Sequence, residues 1–208
     1  MKNNSSHPNI SYAALKLQDV LENLSVVPDE EYIDITTHRD QSLNKYQMIF
    51  SPKHIPSLTK IEFTEFLLFR NNHHWDSLHR IGKYLVEDMD LLRKALSILL
   101  DESIPVEDRI NQLRPKRHGA KNAMVSYLGM PVLTPILLIV YPEKYGVWNN
   151  TTDQGLKLTR LWEKHWDSQP AGKTYFEMNQ IYHVLCSILK IDLWTLDALW
   201  WILKKKEI

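Results

Sequence analysis

Cysteine is almost missing from this sequence, in which Cys186 is the only one. A single thiol excludes an internal disulfide and a zinc site built from several thiolates, and it suits a reducing compartment. Cys186 lies within an apolar run, residues 181–189, whose spacing indicates a helix. We therefore predict a buried, unreactive thiol rather than a nucleophile.

Glycine is also scarce, and the catalytic motifs that depend on it do not occur. The six glycines are scattered, so the sequence contains no GxxxxGK phosphate loop and no GxSxG nucleophile elbow. It contains no HExxH and no CxxC pair that would hold a metal ion. The sequence therefore predicts no cofactor and no metal, and it leaves open whether the chain is an enzyme.

The sequence has neither a surplus of one charge nor a long hydrophobic run. Its 25 basic and 25 acidic residues cancel, so any nucleic-acid binding must come from a local patch. The longest apolar segment, residues 132–141, is roughly half the length that spans a bilayer, and the N-terminus is too polar for a signal peptide. We expect a cytoplasmic protein without a membrane span, in which this segment is a buried core helix.

The sequence is rich in helical periodicity. Thr59 and Glu62 have the spacing of a capping box, and Asp192 is a natural N-cap for the last helix. Thr134 is the expected N-cap of a helix that has Pro135 at its first position. The predicted helices cover residues 10–24, 61–69, 88–100, 104–113, 121–127, 132–140, 154–165, 175–190 and 193–205.

This pattern predicts an all-α fold, because helices follow one another without the strand–helix alternation of an α/β protein. Residues 58–208 are expected to form one compact multi-helix bundle. Residues 1–57 form a less regular N-terminal subregion, in which Ile33 and Ile35 alternate as they would in a short strand.

A polar and aromatic segment, NNHHW, interrupts the helices at residues 71–75. On a helix the adjacent His73 and His74 would point about 100° apart, which is poor geometry for sharing a metal ion. The simplest interpretation is that the asparagines cap neighbouring helix ends while Trp75 packs inward. The alternative is that Asn72, His73 and Trp75 line a polar pocket.

A basic segment precedes the most apolar helix. Its cations are placed where they could bind the phosphate backbone of a nucleic acid, although an ordinary solvated loop is an equal alternative. They are Arg114, Lys116, Arg117 and Lys121, with His118 between them. Gly129 follows in a tight turn at residues 128–131, where a positive φ is permitted. Backbone N–H groups at the start of the next helix would suit a phosphate oxygen.

Residues 128–161, LGMPVLTPILLIVYPEKYGVWNNTTDQGLKLTRL, resemble the central signature of helix-hairpin-helix DNA glycosylases. In that family a glycine-containing hairpin leads into an apolar helix, then a proline and a short exit to an aspartate-bearing helix. Gly129 matches the hairpin and Pro142 the exit. NNHHW together with the later PEKYGVWN also resembles an uncharacterised prokaryotic family, some members of which accompany restriction or defence genes.

The sequence departs from the glycosylase pattern at its catalytic positions. Trp148 and Asn149 stand where the family has its aspartate, which stabilises positive charge on the sugar. Asp153 lies one helical turn later and could substitute only if the register shifts. Val132 and Leu133 replace the second glycine and the lysine nucleophile of the hairpin. The resemblance therefore implies a DNA-binding or base-sensing scaffold without base excision.

The leading hypothesis is a DNA-binding, helix-hairpin-helix-like protein that lacks glycosylase activity. The basic segment and Gly129 would contact phosphate, while Trp148, Asn149 and His73 lie near a base, on which Trp148 stacks. One alternative is an active DNA glycosylase or lyase that uses Asp153. The other is a protein-interaction module of a prokaryotic defence system that recruits a partner through its tryptophan-rich C-terminal helix.

Overall fold

The structure, a computed structural model, describes residues 7–26, 38–114 and 123–206. These residues form eleven α-helices, three short 3-10 helices and no β-strand, so the all-α prediction is confirmed for this part of the chain. The α-helices are α1 (Ile10–Val26), α2 (Arg39–Ile49), α3 (Lys60–Phe66), α4 (Phe69–Asn72), α5 (Gly82–Leu85), α6 (Met89–Leu99), α7 (Val106–Leu113), α8 (Met130–Val140), α9 (Asn150–Leu158), α10 (Ala171–Leu189) and α11 (Leu193–Lys206). The strand expected at Ile33 and Ile35 lies outside the described residues.

Helix α8 is the buried core helix that the sequence predicts. Residues 132–139 are all buried, since the helix is apolar on every side and must be covered all round. It packs against α2, from which the Gln47 side chain donates a hydrogen bond to the Ile139 carbonyl (2.9 Å). None of the helices in the described ranges combines the length and the apolar composition needed to cross a membrane.

The start of α8 differs from the prediction that Thr134 is its N-cap and Pro135 its first residue. The N-cap is Gly129, and Pro135 lies inside the helix. The helix can begin a turn earlier because Pro131, near its start, already has the backbone angle of a helix and needs no intrahelical N–H bond there. The Thr134 hydroxyl instead donates to the Met130 carbonyl (2.7 Å).

The segment before α8 is not the helix predicted for residues 121–127. Residues 123–129 form turns, while residues 121 and 122 lie outside the described part of the chain. The positive φ expected at Gly129 occurs instead at Tyr127 (φ 65°), and Gly129 has the extended conformation of an N-cap (φ −101°). The turn therefore reverses the chain at Tyr127, whose ring stacks on that of Tyr84 (4.6 Å between centroids).

The N-terminal helices share one hydrophobic core with the rest of the molecule. Helix α1 packs on α10 and α11, and α11 in turn packs on α9. Helix α7 lies between α6 and α10. The division of the chain at residues 57 and 58 stays a prediction; within the described residues, α1 and α2 contribute buried side chains such as Leu17 and Tyr46 to this core.

Capping residues predict several helix ends more accurately than apolar periodicity does. The Thr59–Glu62 capping box is confirmed, and the carboxylate of Asp192 accepts a hydrogen bond from the Thr195 amide (2.7 Å) at the start of α11. The helix predicted over residues 154–165 is displaced toward the N-terminus, because Asn149 caps its start. It ends before Arg160, which adopts a left-handed conformation (φ 59°).

Close packing of α10 against α7 gives a first prediction. A Cβ atom built on Gly172 would overlap the Glu107 carbonyl oxygen. Gly172→Ala should therefore lower the free energy of unfolding by about 1–3 kcal/mol, measured by urea denaturation. Gly129→Ala is the control, because its Cβ would meet no atom closer than 3.5 Å. Equal stability of the two variants would contradict this account of the α7–α10 contact.

The capping box of α3 gives a prediction about pH. The pKa of the Glu62 carboxyl is lowered by hydrogen bonds from the backbone N–H and the hydroxyl of Thr59, with His54 adding a smaller effect. A depressed pKa stabilises the fold above the unfolded-state value and loses that contribution as the pH falls through the folded-state value. The difference in unfolding free energy between wild type and Glu62→Gln should shrink from pH 7 toward acid; a constant difference would contradict it.

Candidate functional site

The NNHHW segment is a turn held by the side chain of Asn72. Its amide nitrogen donates to the carbonyls of Phe66 (3.0 Å), Leu68 (3.1 Å) and Trp75 (3.2 Å). Its oxygen accepts from the backbone N–H groups of His74 (2.8 Å) and Trp75 (2.7 Å). Asn72 is fully buried, so this bonding replaces water for five backbone groups. The interpretation of the asparagine as a capping residue, with Trp75 packed inward, is confirmed.

His73 ends α4 in a left-handed conformation (φ 57°), which separates its side chain from that of His74. The His73 ring stacks on His38 (4.2 Å between centroids), whereas the His74 ring lies against Trp194 (4.2 Å). The two histidine rings therefore pack against different parts of the molecule. In the ranges that the structure covers, no three His, Cys, Asp or Glu side chains are grouped so that they could hold a metal ion.

Asp197 of α11 joins the turn to the C-terminal helix. A single carboxylate oxygen, Oδ2, lies 3.0 Å from Nε2 of His74 and accepts a hydrogen bond from Nε1 of Trp75, also at 3.0 Å. An ionised carboxylate only accepts hydrogen bonds, so Nε2 of His74 is the donor in this contact whenever Asp197 is ionised. Both the His74 and the Asp197 side chains are buried. The arrangement fixes the orientation of both rings.

These residues form one wall of a groove of about 790 Å³. The remaining walls come from the starts of α8 and α9 and from the last turns of α11. The lining residues are Phe69, His73, His74, Trp75, Asp76, Leu78, Pro131, Asn149, Asn150, Thr151, Asp197, Ala198, Trp201 and Lys204. The alternative interpretation, in which Asn72, His73 and Trp75 line a polar pocket, agrees with this groove for His73 and Trp75 but not for Asn72, which is fully buried outside the lining.

The chain that leads to α9 is pinned to the core from several sides. Tyr145 accepts a hydrogen bond from the buried guanidinium of Arg109 (2.7 Å). The N–H of Gly146 donates to the Asn179 side chain (2.7 Å), and its carbonyl accepts from the Tyr175 hydroxyl (2.7 Å). These contacts place the start of α9 at the groove with little freedom to move.

Trp148 and Asn149, predicted to lie near a base, occupy different environments. Trp148 is 2% exposed and its ring is parallel to that of Tyr175 (6.4 Å between centroids). A base could stack on it only if this packing opened, so the stacking role expected of Trp148 disagrees with its position. Asn149 lines the groove, where its side-chain oxygen caps α9 by accepting from the N–H groups of Thr151 (2.8 Å) and Thr152 (3.0 Å).

Asp153, the weak catalytic candidate, is bonded to the same tryptophan. Its Oδ1 accepts a hydrogen bond from Nε1 of Trp148 (2.8 Å). Asp153, in the first turn of α9, therefore has a structural partner. It does not belong to the groove lining. Asn149 serves as the N-cap of α9.

The basic segment is described only at its first residue. Arg114 is half-buried, and burial lowers the pKa of its guanidinium. This side chain lies beside Gly129, 3.5 Å from the position that a Cβ atom would occupy there. Lys116, Arg117 and Lys121 lie outside the described residues. Arg114 and Gly129 therefore lie close together at the start of α8.

Most of the groove lining, including Phe69 and Lys204, was not predicted from the sequence, whereas Trp201 belongs to the C-terminal helix that the sequence offers as a partner-binding surface. Phe69 and Trp201 are 43% and 39% exposed, whereas Trp194 and Trp200 of the same C-terminal helix are buried. The signal was present in the pair at positions 200 and 201, because adjacent residues on a helix point about 100° apart and cannot both face one core.

Cys186 is half-buried on α10, away from the groove lining. Burial raises the pKa of its thiol to about 12, with the carboxylates of Asp192 and Glu143 contributing in the same direction. The thiol is therefore protonated near neutral pH, as expected for an unreactive cysteine.

The bonds to Asp197 give a prediction about the groove wall. Asp197→Ala leaves the buried N–H groups of His74 and Trp75 without an acceptor and should lower the free energy of unfolding by roughly 3 kcal/mol. Asp197→Asn keeps an oxygen at the same place and should cost clearly less. Chemical denaturation of both variants measures the difference. Equal losses of unfolding free energy would show that the hydrogen bonds accepted by Asp197 do not stabilise this wall of the groove.

The helices thus assemble a groove that combines exposed aromatic rings, polar side chains and a lysine. Comparison of the chain with protein-family models, with curated proteins and with solved structures finds no match in any of the three. Its function is therefore inferred from the groove and from the charged residues around it.

Proposed function

We propose that this chain binds DNA without carrying out glycosylase chemistry, with the groove as its binding site. The observation that carries the proposal is that two helices begin at the groove and that Lys204 lies in its lining, beside the carboxylates of Asp76 and Asp197. Pro131 at the start of α8 and Asn150 at the start of α9 both line the groove, as does Lys204. Helix N-termini carry a partial positive charge, which favours phosphate.

Lysines extend this potential beyond the groove. Helix α11 ends in Lys204, Lys205 and Lys206, of which the second and third are exposed. Arg114 adds a cation beside the start of α8, and the sequence places further cations directly after it. In a protein with no net charge, such local clustering is the form that a phosphate-binding surface takes.

The resemblance to helix-hairpin-helix glycosylases favours the same partner. The part of the resemblance that remains is the apolar helix α8 and the exit to α9; the hairpin of two helices at Gly129 is not reproduced, because residues 123–129 form turns. A scaffold without base excision is favoured by the role of Asn149 as a cap and by the bond between Asp153 and Trp148. An amide in place of the aspartate cannot stabilise charge on a sugar as a carboxylate does.

A charge reversal in the groove tests this proposal. Lys204→Glu should weaken binding of a fluorescein-labelled duplex or single strand several-fold in an anisotropy titration, and should reduce the slope of log Kd against log salt by about 1. Lys173→Glu is the matched control, because Lys173 is exposed on α10 and does not line the groove. Arg117→Glu extends the test to the basic segment.

Two outcomes would overturn DNA binding at this site. One is the absence of salt-dependent binding by the wild-type protein. The other is an equal loss of affinity in Lys204→Glu and Lys173→Glu. Phosphate would then be bound outside the groove or by nonspecific attraction to the whole surface.

A protein partner is the second candidate, favoured by the exposure of Trp201 at the C-terminal helix. Exposed tryptophan is enriched in protein interfaces. This candidate predicts a stable complex that tolerates the Lys204→Glu exchange but is lost in Trp201→Ala, measured by co-purification with the chain's own partner.

A further inference from the structure

We infer that the groove takes an unpaired strand of DNA rather than a duplex; this inference rests on the proposed function. The observation behind it is the exposure of two aromatic rings in one site, those of Phe69 (43%) and Trp201 (39%). Leaving such rings in water forgoes the stabilisation of burying them, and exposed apolar surface gathered in a groove marks a binding site.

The other large exposed hydrophobic side chains in the described ranges do not line the groove. Leu15, Met48, Ile61, Tyr127, Phe176 and Ile188 all lie outside it. Among these exposed side chains the groove therefore holds two aromatic rings, contributed by α4 and by α11. This composition fits flat ligands, because aromatic rings stack on planar groups.

Stacking distinguishes a single strand from a duplex. In a duplex the faces of the bases are covered by their neighbours and their edges are paired, so only the backbone and the groove edges are accessible. An unpaired strand exposes both faces, and each base that stacks on a protein aromatic ring contributes affinity whatever its identity. Phe69 and Trp201 can be used in this way only by unpaired bases.

Two lysines of α11 lie beside Trp201. Lys204 follows Trp201 by three positions on α11 and shares the groove with it. The ammonium group of Lys205 lies 3.6 Å from the centroid of the Trp201 ring. Aromatic rings interleaved with cations are the usual arrangement of surfaces that bind single strands without sequence preference.

The groove wall formed by the start of α9 supplies polar groups that could contact the edges of bases. Asn150 and Thr151 line the groove at the start of α9. His74 and Trp75 are held rigidly by Asp197, so the wall does not have to be ordered when a ligand binds. The volume of about 790 Å³ falls within the roughly 300–1,000 Å³ of sites that enclose small organic ligands, and a few unpaired bases are of this size class.

Three fluorescein-labelled probes of equal length test the inference by anisotropy: oligo(dT), a hairpin duplex, and a single strand made of abasic sites. A length of about 20 nucleotides exceeds the roughly 4–16 nucleotides that known single-strand modules occupy. Oligo(dT) should bind at least about tenfold more tightly than the other two, because only it offers unpaired bases. Binding should quench the fluorescence of Trp201, and this quenching should be missing in Trp201→Phe.

Variants connect the affinity to the two rings. Phe69→Ala and Trp201→Ala should each weaken oligo(dT) binding by about 5- to 150-fold, the loss expected for one stacked base. Phe176→Ala is the matched control, since Phe176 is 41% exposed on α10 outside the groove, and it should bind normally. Trp201→Tyr keeps an aromatic face and should retain most of the affinity, which also serves if the alanine variant does not fold.

The outcomes separate this inference from the proposed function. If the duplex or the abasic strand binds as tightly as oligo(dT), or if Phe69→Ala and Trp201→Ala bind like Phe176→Ala, the chain binds DNA through phosphate alone and the inference is overturned. If none of the three probes binds, the proposed function is overturned together with it.

Discussion

The hydrogen bonds of one buried side chain, that of Asn72, determine how the groove is built. A turn that leaves a helix abruptly exposes backbone N–H and C=O groups, and each such group costs about 1–3 kcal/mol when it is buried without a partner. Asn72 has both a donor and an acceptor at its end, so it can satisfy groups on both sides of the turn. His73 can then adopt its left-handed conformation, and the next two residues reach α11.

The groove is therefore a consequence of packing between segments that are far apart in the sequence. Its walls come from residues 69–78, from residues 149–151 and from residues 197–204, each fixed to the core by its own contacts. Helix α11 packs on both α1 and α9, which holds its exposed face in place relative to the starts of the other helices. A binding site built in this way is preorganised, so little ordering is needed when a ligand binds.

The helices were predictable from the sequence where a local signal existed. Thr59, Asp88 and Asp192 begin helices through their own side chains, and an apolar run such as residues 132–139 is buried on every side. Residues 123–127 carry apolar side chains at similar spacing but form turns. Their conformation depends on tertiary contacts such as the stacking of Tyr127 on Tyr84, for which the sequence contains no pattern.

The site was harder to predict than the fold because exposure depends on the whole structure. Trp148 stood in the segment that resembles a known signature, yet it packs on Tyr175 in the core. Trp201 belongs to a helix for which the sequence allows both core packing and a protein interface, and in the structure it lines the groove. Residue type and spacing do not show which of the two tryptophans is buried. That depends on the placement of α10 and α11.

The packing of α1 on α10 and α11 has a consequence for biosynthesis. The apolar face of α1 emerges from the ribosome well before the helices that cover it have been translated. Until then Leu17 and Val20, which are buried in the folded protein, remain exposed in a partly folded chain. The core can close only after α11 has been translated.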